Sequence, residues 1–591
     1  MKKMDAVYIP YRQDGEPSRK AGIAPVEFSL DGLSDDQVQM LGHLSDAADC
    51  MNSIFRDQFS PDTELIQATL EKMLAGAEEP LKTAIENYLA MLCLQNSPWA
   101  LLPRKNHLLD AERSQLEALA DKAGVRSDFD SIAAYLFEAV ELSDRANFYP
   151  ADMNEDDFEA LDGDAKKVNT SIVKNGEGYR VIYNEERYLK LCAEAVDHLR
   201  EARKLSDDIG FQIYLDAKIE EMTTGTEEAR RLADYHWVRH NSPIDIIISS
   251  AIEVYLDAWK NAKGSAAANV TVKNVQAEEL LKKLIEKVPA LEANAPWKYR
   301  RYEINPETLP KLKFVDILNW TGDYVTGPMT TIAQSLPNDE WVGKNIGTVN
   351  MVYRNTGKAA HSISGSILTK EFLPKEIVAK YDDKLFEAGQ LHSALHEIGH
   401  TTGKQDPEHP GQPRDYLEAE YSPLEEARAE LFGMWATSEI QKDGIIDEDT
   451  AVASHYSMLL SMVSSLKFEP NQAHTQARNM MWHYFDEKGA IARVEEDGRV
   501  RFALKLDMLD EVIKEMLEKV ANIKAAGDKA AAVALREKYC YVDELRPAIE
   551  KRTKDSPLGR GLIFPELEKD GDKYLGKLSY PEFRMQKKFR K

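Results

Sequence analysis

The chain has 591 residues, 43% of them hydrophobic and 30% charged, with a formal net charge of −25. That length exceeds what one core can hold and predicts roughly two to four domains. The acidic excess argues against nucleic acid or an anionic membrane as partner, because either calls for a basic face, and no apolar run reaches transmembrane length. The first residues carry a little basic charge with no apolar stretch behind it, which is not an intact signal peptide. Cys50, Cys93, Cys192 and Cys540 are widely scattered and lack metal-ligand spacing. They read as reduced, mostly buried thiols of a cytoplasmic protein, and a processed export form is compatible with the same residues.

In chain order, residues 30–145 show the helical period of about 3.6, with Pro61, Pro80 and Pro98 as breaks. Arg145 to Pro150 interrupts that pattern. Lys174 to Tyr183 is short, glycine-containing and β-prone, a candidate hairpin. Helical periodicity returns from Glu185 to Met222, with Leu189, Cys192, Val196 and Leu199 on one side. Ile244 to Tyr255 is apolar and β-branched and predicts a buried strand. Ala262 to Val272, rich in Gly, Ser and Ala, is expected to be a hinge, followed by a helix over 275–288. Residues 314–355 predict short strands and loops. From Ala388 to about Asn522 helices dominate, interrupted by a hairpin at 493–502 with an Asp-Gly turn. Ala521 to Ala534 predicts a solvated helix pair, and the tail after Lys551 a strap across another domain.

The chemistry concentrates at His396-Glu397-Ile398-Gly399-His400. Histidines four apart share one helix face, so both imidazoles can reach a single ion. The glutamate between them stands where it can take a proton from a water activated by that ion. A catalytic zinc site uses three protein ligands and keeps one position open. The acidic run Glu425-Glu426-Ala427-Arg428-Ala429-Glu430 is the evident source of a third ligand. Within it Glu426 and Glu430 share a face, with Glu425 about 100° away. One carboxylate should bind the ion and the others orient the histidines. Gly399 would let another element approach closely. His392, one turn before His396, is expected to be a packed or hydrogen-bonding histidine, since a fourth ligand would close the site.

HEIGH followed by EEARAE resembles the dipeptidyl peptidase III family of zinc exopeptidases, whose signatures are HELLGH and EECRAE. Glu253 to Asp257 with Gly264-Ser265 is similar to that family's E-S-Y-R-D segment, and Ala473 to Arg478 to its A-H-M-Q-A-R segment. Leu336 to Glu340 and Lys344 to Asn350 are similar to its P-N-Y-D-D and K-N-V-S-L-G-N stretches. The resemblance implies His396, His400 and Glu426 as ligands of one zinc ion, with Glu397 as general base. It implies Glu425 and Glu430 behind the histidines, Tyr255 and His474 as stabilisers of the oxyanion, and Glu253 and Asn338 as holders of the substrate's terminal ammonium. Three departures stand out. The motif has five residues where most of the family has six, which predicts a regular α-helix. Only Ala333 or Ser335 falls near the family's second substrate asparagine. Arg560 is the nearest candidate for its C-terminal arginine.

The same resemblance implies an α+β, mostly helical fold of two lobes with a wide cleft, one lobe helical and zinc-binding, the other mixed with a β-barrel core. The expected division is 1–265 mixed, 266–327 helical, 328–360 mixed, 361–549 helical and catalytic, and 550–591 a strap on the mixed lobe. The implied activity is zinc-dependent release of dipeptides from short peptides by a monomer or homodimer. A metalloendopeptidase or single-residue aminopeptidase on the same scaffold is the nearer alternative, and a peptide-binding protein with little turnover the more distant one.

Overall fold

The computed structural model describes residues 7–12, 19–100, 104–161, 163–298, 311–325, 333–403, 413–554, 556–557 and 560–590. Contacts group the chain into two units. One combines Met1–Lys273, Val315–Ile363 and Pro557–Lys591; the other combines Asn274–Phe314 and Ser364–Ser556.

The first unit is organised on a long helix, α1 (Asp35–Phe59), and a five-stranded sheet. Ser34 caps α1 through a capping box with Gln37, satisfying donors that the first helical turn leaves without partners. The strands are β1 (Ile244–Glu253), β2 (Ser265–Lys273), β3 (Lys311–Gly322), β4 (Ala333–Leu336) and β5 (Val349–Tyr353), in the order β1-β2-β3-β5-β4. The expected strand at 244–255 is β1, whose first eight residues are all buried.

The expected hinge at 262–272 is instead mostly β2, and β2 and β3 replace much of the helical segment expected over 266–327. The helix Val275–Asn294 is the part of that segment that is helical. Small side chains in β2 serve close packing, not flexibility. Ala266, Ala267 and Ala268 are 0% exposed, and a Cβ at Gly322 would stand 2.1 Å from the Ala266 carbonyl oxygen. Helix α1 is therefore bonded to the sheet as well as packed on it. Gln58 Nε2 donates to Ser250 O (3.1 Å), Ala266 N donates to Gln58 Oε1 (2.7 Å), and Thr321 Oγ1 donates to Ala48 O (2.8 Å).

Among the described residues the sheet does not close into the β-barrel implied by the resemblance. Strands β1 and β4 are its two edges. A register shift between Ser249 and Glu253 bends the end of β1, and Pro337, which lacks an N–H, follows β4 and could not extend its ladder as a donor. The edges meet through side chains instead. Gln334 Nε2 donates to Glu253 Oε1 (2.7 Å) and Asn338 Nδ2 donates to the Ile252 carbonyl (3.1 Å).

Other expectations correspond closely to observed elements. Hairpins occupy Thr170–Asn175 with Gly178–Tyr183 and Ile491–Glu496 with Arg499–Leu504. The 521–534 pair is the end of one helix (to Ala526) and the start of another (from Lys529). The tail forms Arg560–Ile563, parallel to Arg19–Pro25. Of the predicted apolar face over 185–222, Leu189 is 67% exposed at its helix's first position. The four cysteines are free; Cys540 is half-buried and the other three are buried.

The tail is locked under α1 by Asn52. Its Nδ2 donates to Lys588 O (2.8 Å) and Asn96 Oδ1 (3.2 Å), while its Oδ1 accepts from Gly322 N (3.0 Å) and Asn96 Nδ2 (2.6 Å). Replacing this buried amide by alanine leaves donors and acceptors of three segments without partners. Asn52→Ala should destabilise the protein by about 2–4 kcal/mol, read as a lower urea midpoint at unchanged slope.

Candidate metal centre

The second unit carries HEIGH at the C-terminal end of α2 (Leu385–His400) and the acidic run on α3 (Tyr421–Lys442). Also packed here are α4 (Glu448–Ser465), α5 (Ala473–Glu487) and α6 (Leu506–Ala526). As the five-residue motif predicts, α2 is regular through both histidines. Residues 404–412, between the two motifs, lie outside the described residues.

Helices α2 and α3 cross at very short range because glycines stand at the crossing. A Cβ on Gly399 would lie 3.1 Å from Phe432 Cδ1 and 3.3 Å from the Ala429 Cα. On α3, a Cβ on Gly433 would lie 2.8 Å from the His392 ring. Close approach of another element at Gly399 is thus observed.

Across that crossing His396, His400 and Glu426 each turn one ligand atom toward a common point, all within 4.8 Å of one another. The two Nε2 atoms are 3.0 Å apart. Glu426 Oε2 lies 3.3 Å from His396 Nε2 and 3.7 Å from His400 Nε2. His474, at the start of α5, points Nδ1 at the same oxygen from 3.2 Å. Yet this oxygen is buried and has no hydrogen-bond partner of acceptable geometry among the described residues. A buried carboxylate oxygen facing three imidazole nitrogens without a hydrogen bond is a poor arrangement for protein alone, and it fits a divalent cation.

Carboxylates brace the backs of the imidazoles. Glu425 Oε1 lies 2.8 Å from His400 Nδ1. Glu430 Oε2 lies 2.8 Å from His392 Nε2 and 3.4 Å from His396 Nδ1. His392 therefore packs behind the centre as a hydrogen-bonding histidine, as expected. Burial opposes the charge on these carboxylates, but neighbouring cations outweigh it. Arg428, His400 and Lys524 hold Glu425 well below the usual carboxylate range, and Arg478 and His392 do the same for Glu430. His396 also is buried, which would lower its pKa, but Glu426 and Glu430 push it up to about 10. The field that favours a proton on this imidazole also favours a metal ion, which would compete for it.

Arg428, Arg478 and Lys524 were not singled out from sequence. Arg428 is fully buried and forks Glu425 (2.7 and 2.8 Å) while Nη2 donates to the Gly399 carbonyl (2.8 Å). It thereby ties the end of α2 to the acidic run. Arg478 Nε donates to Glu430 Oε1 (2.9 Å), and Lys524 Nζ lies 2.5 Å from Glu425 Oε2. A readable signal existed for two of them. Arg428 sits three residues after Glu425, and Arg478 one turn after His474.

Glu397 is half-buried, and no hydrogen bond or ion pair to another described residue restrains its carboxylate. Glu253, Tyr255 and Asn338 belong to the first unit. There Glu253 ends β1, Asn338 bonds the preceding carbonyl, and Tyr255 is 68% exposed in the following turn. Ala333 and Ser335 both lie in β4, and Arg560 begins a tail strand.

A model described as Peptidase family M49 matches residues 152–412. Over those residues the chain is similar to peptidase family M49. The match takes in Glu253, Tyr255, Asn338, His396, Glu397 and His400 and ends before Glu425. It supports a metallopeptidase, with His396, His400 and Glu426 as the group able to hold an ion. Two curated relatives are similar to this chain. Nudix hydrolase 3 of Arabidopsis thaliana is 23% identical over 93% of this chain and 77% of its own length. Dipeptidyl peptidase 3 of Nematostella vectensis is 24% identical over 63% of this chain, which spans 57% of that relative. Among solved structures, DPP III from Caldithrix abyssi aligns with a TM-score of 0.71 at 22% identity, covering 92% of this chain and 97% of its own. Dipeptidyl-peptidase III from Corallococcus sp. strain EGB aligns with a TM-score of 0.59 at 22% identity, covering 91% and 94%. These likenesses show a shared fold.

The bracing makes a measurable claim. Glu430→Gln removes the charge behind His396 and should weaken zinc affinity about 10–100-fold in a competition titration with a chromophoric chelator.

Proposed function

We propose that this chain is a zinc-dependent peptidase of the M49 type that releases dipeptides from the N-termini of short peptides. The observation that carries the metal part is Glu426 Oε2, buried without a hydrogen bond and faced by three imidazole nitrogens within 3.7 Å. His396, His400 and Glu426 would hold the ion. When bound, zinc polarises a carbonyl oxygen and acidifies water at neutral pH.

The remaining roles fall to side chains. Glu397, unrestrained and adjacent to a ligand, takes a proton from the attacking water and passes it to the leaving amine. Glu425 fixes the ring orientation of His400 through Nδ1, and Glu430 supplies a negative charge behind the His396 ring. His474, whose side chain is 57% exposed, lies beside Glu426 and is one donor to the developing oxyanion. The exposed Tyr255 hydroxyl is the second donor to that charge. Glu253 and Asn338 hold the terminal ammonium, so that cleavage is counted from the N-terminus.

Mass spectrometry of penta- to octapeptides incubated with zinc-loaded protein tests it. Dipeptides should accumulate, chelation with 1,10-phenanthroline should stop their release, and zinc should restore it. Glu397→Ala should cut the rate by about 10²–10⁴-fold while binding zinc as tightly as the unaltered chain. Single residues or internal fragments would overturn the dipeptidyl register and keep the metal chemistry. No cleavage by metal-replete protein would leave a peptide-binding protein.

A further inference from the structure

The carboxylate assigned to the substrate's amine is held by a directed chain of hydrogen bonds that crosses the sheet. Asn269 Nδ2 of β2 donates to Tyr353 Oη of β5 (3.3 Å), Tyr353 Oη donates to Gln334 Oε1 of β4 (2.8 Å), and Gln334 Nε2 donates to Glu253 Oε1 of β1 (2.7 Å). Asn269 and Tyr353 are 0% exposed. An amide can usually be flipped without visible penalty, but this one faces a carboxylate, which when ionised only accepts, so its NH₂ group faces Glu253 and its oxygen is left to the Tyr353 hydroxyl. Donors aligned in one sense along such a chain polarise one another.

Glu253 needs this support. It is half-buried at the bent end of β1, and burial raises its pKa while Gln334 and Asn338 pull it back down. A carboxylate can accept about four hydrogen bonds, so one from Gln334 leaves capacity for an ammonium. A structural role for Gln334, as a tie between the two sheet edges, predicts a loss of stability. A positioning role predicts a loss of affinity for one chemical group.

We propose that Gln334, oriented by Tyr353 and Asn269, is a positioning residue that aims Glu253 at the substrate's N-terminal ammonium and so selects peptides with a free amine. This rests on the reading of Glu253 as the amine holder.

The test uses the full zinc-loaded chain, one peptide sequence with a free or an acetylated N-terminus, and the variants Gln334→Leu and Tyr353→Phe. Steady-state constants and melting temperatures are measured for each. Gln334→Leu should raise KM for the free-amine peptide about tenfold or more, the size expected for a hydrogen bond to a charged group, with kcat little changed. Cleavage of the acetylated peptide should be unaltered, and Tyr353→Phe should act in the same direction by less. An unaltered KM in Gln334→Leu overturns the proposal, as does a fall in kcat and melting temperature with KM preserved. If the unaltered chain cleaves both peptides equally well, the role of Glu253 itself fails. Discrimination by the unaltered chain that survives in Gln334→Leu defeats the role of Gln334 alone.

Discussion

The short crossing of α2 over α3 is the constraint on which the metal centre depends. Histidines project from one helix and carboxylates from the other, so donor separations are set by how closely the two backbones lie. Gly399 against Ala429 and Gly433 against His392 permit an approach that a larger side chain would crowd. A third glycine extends the same logic to the next helix, since a Cβ on Gly389 would lie 2.4 Å from Ser457 Oγ of α4. Ligand geometry here is a packing property before it is an electrostatic one.

That closeness brings acidic groups into a region where uncompensated charge costs several kcal/mol per ion. The chain answers unevenly. Glu425 has Arg428 and Lys524, and Glu430 has Arg478. Glu426, between them in sequence, has among the described residues only imidazoles, which carry charge conditionally. The protein thus neutralises the carboxylates that brace the centre and leaves one whose natural complement is a cation.

Much of this was legible in the residues because the helical repeat turns spacing into geometry. Positions 396 and 400 share a face, and so do 426 and 430, whichever helix they pair with. Strands with β-branched runs, such as 244–253, and hairpins with Asp-Gly turns were legible for similarly local reasons. Failures came where long-range packing decides. Alanine-rich β2 looks like a hinge by composition, yet it is a buried strand whose small side chains admit α1. Closure of the sheet depends on whether two edges distant in sequence share a ladder, and here they share only side-chain bonds. Gln334 escaped notice because its partners, Glu253 and Tyr353, lie 81 and 19 residues away.

The three-segment make-up of the first unit bears on the order in which this protein can be built. Helix α1 leaves the ribosome long before the Lys588 carbonyl that Asn52 bonds and the strand that lies beside Arg19–Pro25. Domains generally fold as units during synthesis. The first unit therefore waits, with part of its apolar interior uncovered, for most of the second unit to be made between its own segments. Nascent chains of this protein should depend on holding chaperones longer than the burial of α1 alone would suggest.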